Sequence, residues 1–285
     1  MLLKCNAKIN WFLDIVGKFP NGYHNLNMLM QSIDLCDVIN IEKSSINELY
    51  INGVVDENLI NNLCFKAVFA FQNATKIKDF FCIHLQKHIP MGAGLGGGSA
   101  DAAGILKALN KMYHSPLSDD ELLKIGLRIG ADVPFMLQGG FAQVQGIGEI
   151  VSPINADFQQ KMLLVYDGIH LSTKDVFQSF SLHEHKTENI EFVQQSLIEK
   201  KFNKLQHVRL NALYTFAEKL APGLKNIIVD LYALGASLAT MTGSGSAIIA
   251  CFETDRQLNN VYEIMKKQRK QVYIVNTVAK GIHFL

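Results

Sequence analysis

Apolar residues recur along the chain at two spacings, and each predicts its own elements. Residues 81–89 alternate: Phe81, Ile83, Leu85, Lys87 and Ile89 share one face, Cys82, His84, Gln86 and His88 the other, and Pro90 ends the run. That is a strand with one buried face. Residues 8–16, apolar and aromatic up to Gly17, and residues 28–41, broken by Asp34 and Asp37, predict two further strands. Residues 61–73 carry Leu63, Ala67, Val68, Ala70 and Phe71, a helical stripe. Helices are expected over 99–112 and 119–129. Ser118 and Glu121 form an S-x-x-E capping box before the second, and Gly130 stands where a C-terminal glycine belongs.

The second half has a different rhythm. Residues 162–166 predict a short buried strand, and 181–189, with two His and several charges, an exposed loop. Helical patterns cover 190–200 and 210–220. Pro222 and Gly235 bracket another helix, whose apolar face is Leu224, Ile227, Ile228, Leu231 and Leu234. A strand (236–241), a Gly/Ser turn, a strand (247–252), a helix (256–267) and a strand (272–278) follow. That order is a split β-α-β, ferredoxin-like unit. A boundary near Ser152 and Pro153 divides the chain into domains 1–155 and 156–285 of an α+β protein.

Composition narrows the class. Of 285 residues, 48% are hydrophobic and 19% charged, as in a globular protein with a sizeable core. A net charge of +1 argues against a broad electrostatic footprint for nucleic acid or an anionic membrane. Five cysteines (5, 36, 64, 82 and 251) include no C-x-x-C pair, so reduced thiols are expected, with neither a disulfide framework nor a zinc site. The N-terminus is interrupted by Lys4, Lys8 and Asp14 and lacks the apolar segment of a signal peptide, and no apolar run is long enough to span a bilayer. A soluble, cytoplasmic protein is expected. His84 and His88 on a strand, and His183 and His185 in the charged loop, lack the convergence of metal ligands. Met28 and Met30 are expected in the core.

The segment from Pro90 to Ala100 is the most informative. Five of the seven residues 92–98 are glycine, in a chain with 21 glycines. Such a stretch costs conformational entropy, and a plain turn needs only one or two glycines. Between a strand and a helix, bare N–H groups and the positive end of the helix dipole suit a phosphate chain. Gly92, Gly94 and Gly97 satisfy G-x-G-x-x-G, but the acidic residue that a dinucleotide fold needs about 20 positions on falls at a helix start, on Ser118 and Asp119. A NAD-dependent oxidoreductase is thereby disfavoured. No Lys-Ser or Lys-Thr closes the loop as in a Walker A motif.

The run P-M-G-A-G-L-G-G-G-S-A-D-A-A resembles the ATP loop of the GHMP kinase superfamily, and Thr242 to Ser246 its third motif. Ala7-Lys-Ile-Asn10, Gly22-Tyr-His24, Gln31 to Leu35 and Gly130-Ala-Asp-Val-Pro134 are similar to the members that phosphorylate a cytidine diphosphate-linked methylerythritol on its 2-hydroxyl, a step of the non-mevalonate isoprenoid route. The resemblance covers the whole chain. It implies a two-domain GHMP kinase fold, with an N-terminal domain like domain 2 of ribosomal protein S5 and a ferredoxin-like C-terminal domain. Substrate would lie between them, in a monomer or weak homodimer without nucleic-acid or membrane partners.

The resemblance also implies roles. Lys8 and Asp132 would be catalytic, Asp132 as general base and Lys8 as a point charge beside the transferring phosphoryl group. ATP with Mg2+ would be held by Pro90, Met91, Gly92, Ala93, Gly94, Leu95, Gly96, Gly97, Gly98, Ser99 and Ala100, with Ser99 as helix N-cap or phosphate or magnesium contact. Asn10, Tyr23, His24, Phe177, Gly243, Ser244 and Gly245 would meet the substrate. Asn6, Trp11 and Ala100 depart from the usual Pro, Leu and Ser, and the Glu that other members use for magnesium is not found, leaving the metal ligands unknown. Two alternatives keep the fold: another GHMP kinase with a different alcohol, and a nucleotide-binding protein without catalysis. Tyr23, His24 and Phe177 weigh against the first, the intact Lys8 and Asp132 against the second.

Overall fold

The structure, a computed structural model of the chain, describes residues 1–181, 185–269 and 271–285. Two long antiparallel strands open it, β1 (Leu2–Lys18) and β2 (His24–Ser44). Their register slips between Asn6 and Lys8, between Asn10 and Phe12 and between Ile15 and Gly17, which bends the ribbon and re-aims side chains. The slips let β1 bury both faces, so it reads as a continuous apolar run without alternation. On one side Leu3, Cys5 and Ile15 join Phe65, Val68 and Leu106. On the other Ala7, Ile9 and Trp11 join Met162, Leu164 and Ile249.

Next come β3 (Glu48–Ile51), β4 (Val54–Val55), α1 (Leu63–Thr75) and β5 (Phe80–Gln86). Then α2 (Gly97–Met112), α3 (Asp119–Ile129), α4 (Val133–Gln138), β6 (Phe141–Gly146) and β7 (Ile150–Pro153) complete the first sheet and its helices. β2 is long enough to pair β6 along its first half and β5 along its second. The α3 capping box forms in both directions, with the Glu121 amide donating to Ser118 Oγ at 3.3 Å and the Ser118 amide to Glu121 Oε2 at 2.8 Å. Gly130 ends that helix in extended backbone (φ −175°), so it is not the left-handed terminator that the sequence suggested. The strand predicted to 89 stops at Gln86, because the amides of His88 and Ile89 turn to the Asp37 carboxylate.

In the second half β8 (Lys161–Tyr166), α5 (Thr173–Ser179), α6 (Ile190–Ile198), α7 (Tyr214–Leu220) and α8 (Gly223–Ala233) precede β9 (Leu238–Met241), β10 (Ile248–Cys251), α9 (Asp255–Gln268) and β11 (Gln271–Asn276). The antiparallel sheet runs β11-β8-β10-β9, the order of a ferredoxin-like unit. The chain then returns to the first sheet: β12 (Ile282–Phe284) pairs with β1 at Leu3 to Cys5.

Two departures from the resemblance have local explanations. The Asn6 amide donates to the Gly281 carbonyl, and its side chain to the Lys280 carbonyl, which ties β1 to the segment before β12; a proline could not donate. The buried Trp11 indole donates to Gln31 Oε1, and Gln31 donates to the Phe158 carbonyl, so the larger ring brings its polar handle with a partner. Among the described residues no helix is long and apolar enough to cross a membrane.

Candidate functional site

A cleft of about 860 Å3 opens where β1, the glycine loop, α4 and the β9–β10 turn meet. Lys8 enters it from β1 although its side chain is almost wholly buried. Its ammonium donates to Asn10 Oδ1 at 2.7 Å and lies 3.6 Å from Asp132 Oδ2. Asp132 sits at the start of α4 without making a side-chain cap, and about a third of its side chain is exposed. The carboxylate is therefore free for a ligand, with a fixed cation beside it.

The glycine loop forms the adjoining wall. The amides of Gly92 through Gly96 donate to no other group among the described residues, and they lead into α2, whose Gly96 N-cap is left-handed (φ +69°) and offers no side-chain cap. Such free donors at the end of a 16-residue helix fit a phosphate chain. The loop does pack, however. A Cβ on Gly94 (φ +77°) would stand 2.6 Å from the Thr242 carbonyl oxygen, and one on Gly243 equally close to that of Gly94. The glycines thus permit two backbones to touch as well as baring their amides. The amide of Ala247 seals the contact by donating to the Ala93 carbonyl.

Charge favours an anion. Lys8, Lys18, Lys87 and Lys174 line the cleft, whereas Asp132 is its one carboxylate among the described residues. Lys87 is tied to Asp37 and, at 2.8 Å, to Asp101. Burial alone would lower its pKa, but the two carboxylates outweigh that and raise it. Asp101, wholly buried with Oδ1 unbonded, is pushed up to about 7, by burial first and by Asp37 further, against the pull of Lys87.

The far end is aromatic. His24 packs against Phe177 with centroids 5.4 Å apart and planes tilted by 33°, and meets Phe180 edge-on at 5.7 Å. Burial, then Lys18, lowers the His24 pKa, so its ring is neutral near pH 7 and can both donate and accept. Tyr23, 60% exposed, lines the same end.

Most residues expected at a site meet here: Lys8, Asn10, Tyr23, His24, Asp132, Phe177, Gly243, Ser244 and the loop from Pro90 to Ser99 all line the cleft. Three expectations change. Ala100 is buried inside α2, and Gly245 packs on Met241 and Leu171, so neither faces it. Ser99 lies inside the first turn of α2, after the true N-cap. In the third motif, the Thr242 hydroxyl accepts the Asn10 amide at 2.7 Å and Ser246 bonds the Ile169 carbonyl, which leaves Ser244, bonded to Thr173 at 2.8 Å, at the opening.

Sequence reasoning missed Phe180, whose i+3 spacing from Phe177 was the available signal, and the support behind it. His185 packs edge-on against Phe180 at 5.3 Å; its Nε2 bonds the buried Asp14, and Arg209 lies 3.0 Å from Nδ1. The loop expected to be exposed thus hides an imidazole. His183 lies outside the described residues.

Comparison with known proteins gives these features relatives. Residues 62–140 match the GHMP kinases N terminal domain, and residues 196–271 the GHMP kinases C terminal domain. A 4-diphosphocytidyl-2-C-methyl-D-erythritol kinase from Clostridium beijerinckii is 38% identical over 98% of this chain and all of the relative. A crystal structure of 4-(cytidine 5'-diphospho)-2C-methyl-D-erythritol kinase superposes with a TM-score of 0.82 at 27% identity, covering 97% of this chain and 99% of that one. A homoserine kinase from Cytophaga hutchinsonii, 16% identical, shares the fold with a TM-score of 0.78 over 100% of this chain and 97% of its own.

Proposed function

The chain belongs to the GHMP kinases, and from that premise we propose that it phosphorylates the 2-hydroxyl of 4-diphosphocytidyl-2-C-methyl-D-erythritol at the expense of ATP, a step of non-mevalonate isoprenoid precursor synthesis. The observation that carries the proposal is one cleft holding a Lys–carboxylate pair, a glycine loop with free amides and an aromatic end, in that order. We assign residues 1–155 to the nucleotide-binding domain and 156–285 to the ferredoxin-like one, with β12 returned to the first.

Within this reading ATP supplies the γ-phosphoryl group, and its phosphates lie along the amides of Gly92 to Gly98 at the N-terminus of α2. With Asp132 the one carboxylate in the cleft among the described residues, magnesium would be held mainly by the nucleotide's phosphates and would supply charge neutralisation there. Asp132 takes the proton as the acceptor oxygen bonds to phosphorus and the bond to the ADP oxygen breaks. Lys8, pinned by Asn10, balances the charge gathering between acceptor and phosphoryl group. Phe177 and Phe180, with His24 between them, offer faces for a cytosine ring and a neutral imidazole for its edge. A GHMP kinase for a small alcohol without a base would have no use for that end.

A competition among acceptors tests the substrate. ADP release is measured with 4-diphosphocytidyl-2-C-methyl-D-erythritol, mevalonate and homoserine. The cytidine-linked alcohol should give a kcat/KM at least about 100-fold above the others, the scale expected from one stacked base and its hydrogen bonds. Equal use of the three acceptors would contradict the proposal.

A further inference from the structure

The sheet has a second cluster of reactive side chains on the face turned away from α1 and α2. On β5, Phe81, Ile83 and Leu85 point inward to the core, which leaves Cys82 and His84 outward, side by side. Glu42 of β2 stands directly across from Cys82 in the ladder, and Glu48 of β3 stands across from it on the other side. One ligand atom each from Glu42, Cys82 and His84 lies within 4.8 Å of the other two.

One edge of this triangle, from thiol to imidazole, has the length of a coordination polyhedron's edge. Zinc–thiolate and zinc–imidazole bonds of about 2.3 and 2.0 Å at a tetrahedral angle place sulfur and nitrogen about 3.5 Å apart. Cys82 Sγ and His84 Nε2 are separated by 3.5 Å. The ring of Tyr50 stacks on His84 at 4.8 Å with only 12° between planes, which fixes the imidazole facing the thiol; ligand rings held in this way bind metal better than free ones. The local charge calls for a cation. No Lys or Arg bridges Glu42 or Glu48 among the described residues. The Cys82 thiol is raised by burial first and then by Glu48 and Glu42.

From this geometry we propose that Glu42, Cys82 and His84 bind a borderline-soft divalent cation of the zinc type, with water in the fourth position. Binding releases the Cys82 thiol proton to solvent and clamps β2 to β5. None of the three residues lines the cleft, so the site is independent of the kinase reaction. Magnesium, a hard cation that prefers oxygen, should not compete.

Cobalt(II) is the probe. Titrated into the purified protein, it should give one equivalent of thiolate-to-cobalt charge-transfer absorption, displaced by zinc and unaffected by excess magnesium. Cys82→Ser should abolish the band while keeping wild-type kinase turnover. His84→Ala and Glu42→Gln should weaken cobalt binding by at least about tenfold, the lower end of what even supporting residues contribute. Cys36→Ser, which alters the one cysteine of intermediate burial, should leave the band intact. Absence of a thiolate band at saturating cobalt, or its survival in Cys82→Ser, overturns the site. Should Cys82→Ser fold poorly, an unchanged cobalt affinity in His84→Ala overturns it equally.

Discussion

At the scale of single residues, the proposed chemistry rests on a buried ammonium 3.6 Å from a carboxylate about one-third exposed. Lys8 can stand in a strand core because Asn10 accepts a hydrogen bond from its ammonium and Asp132 offsets its charge; without them the burial would cost several kcal/mol. Replacing Asp132 by Asn keeps the shape and removes the proton acceptor. That variant should lower kcat by about 10²- to 10⁴-fold, with the KM for ATP changed by less than about twofold. A kcat within a few fold of wild type would remove Asp132 from the role of base. At the other end of the cleft, Phe177→Ala takes one face from the aromatic pocket. The KM for the cytidine-linked alcohol should rise about five- to hundredfold, the worth of one stacked base, while the KM for ATP stays put. Parallel rises in both would point to a general loss of structure.

At the scale of elements, two backbones in contact hold the site: the glycine loop before α2 and the turn between β9 and β10. Gly94 lies at their crossing, in a conformation that side chains avoid. Gly94→Val should therefore separate the turn from the loop, weaken ATP binding by at least about tenfold and destabilise the protein by more than about 2 kcal/mol. Calorimetry and thermal melting would read both, and unchanged values in the two would contradict this packing. A space-filling effect alone would touch only the first.

The same elements show what could be read from the chain. The period-two pattern of β5, the stripe of α1 and the capping box of α3 announce themselves, because each element meets one core face and one solvent face. The glycine loop stands out in the sequence as a candidate phosphate cradle, yet its contact with residues 242–245 does not, since that contact joins segments about 150 positions apart. β12 is three residues long and α4 six, too short to display a period. His185 looked solvated because its partner, Asp14, comes from β1, and nothing in local composition reveals a pairing across 171 positions.

For the whole molecule, the buried triad of Asp37, Lys87 and Asp101 links the strand end, the root of the glycine loop and α2. Burial first, and then Asp37 sharing the same ammonium, make Asp101 hold a proton in the folded state that the unfolded chain would release. Its pKa rises from 3.8 to about 7. The stability this confers is full below about pH 4 and fades as pH climbs through about 7. Asp101→Asn should flatten that part of the stability profile and melt higher than wild type at pH 8. An unchanged slope between pH 4 and 8 would assign the pH dependence to other groups.

Phosphorus NMR of the reaction mixture reaches the central claim most directly. Protein, ATP and magnesium are incubated with 4-diphosphocytidyl-2-C-methyl-D-erythritol, and Asp132→Asn serves as control. A new phosphomonoester resonance with the wild type, absent over the same interval with a variant that still binds ATP, is the predicted result. ATP binding without any new resonance would contradict the proposed substrate and move the cleft to another alcohol.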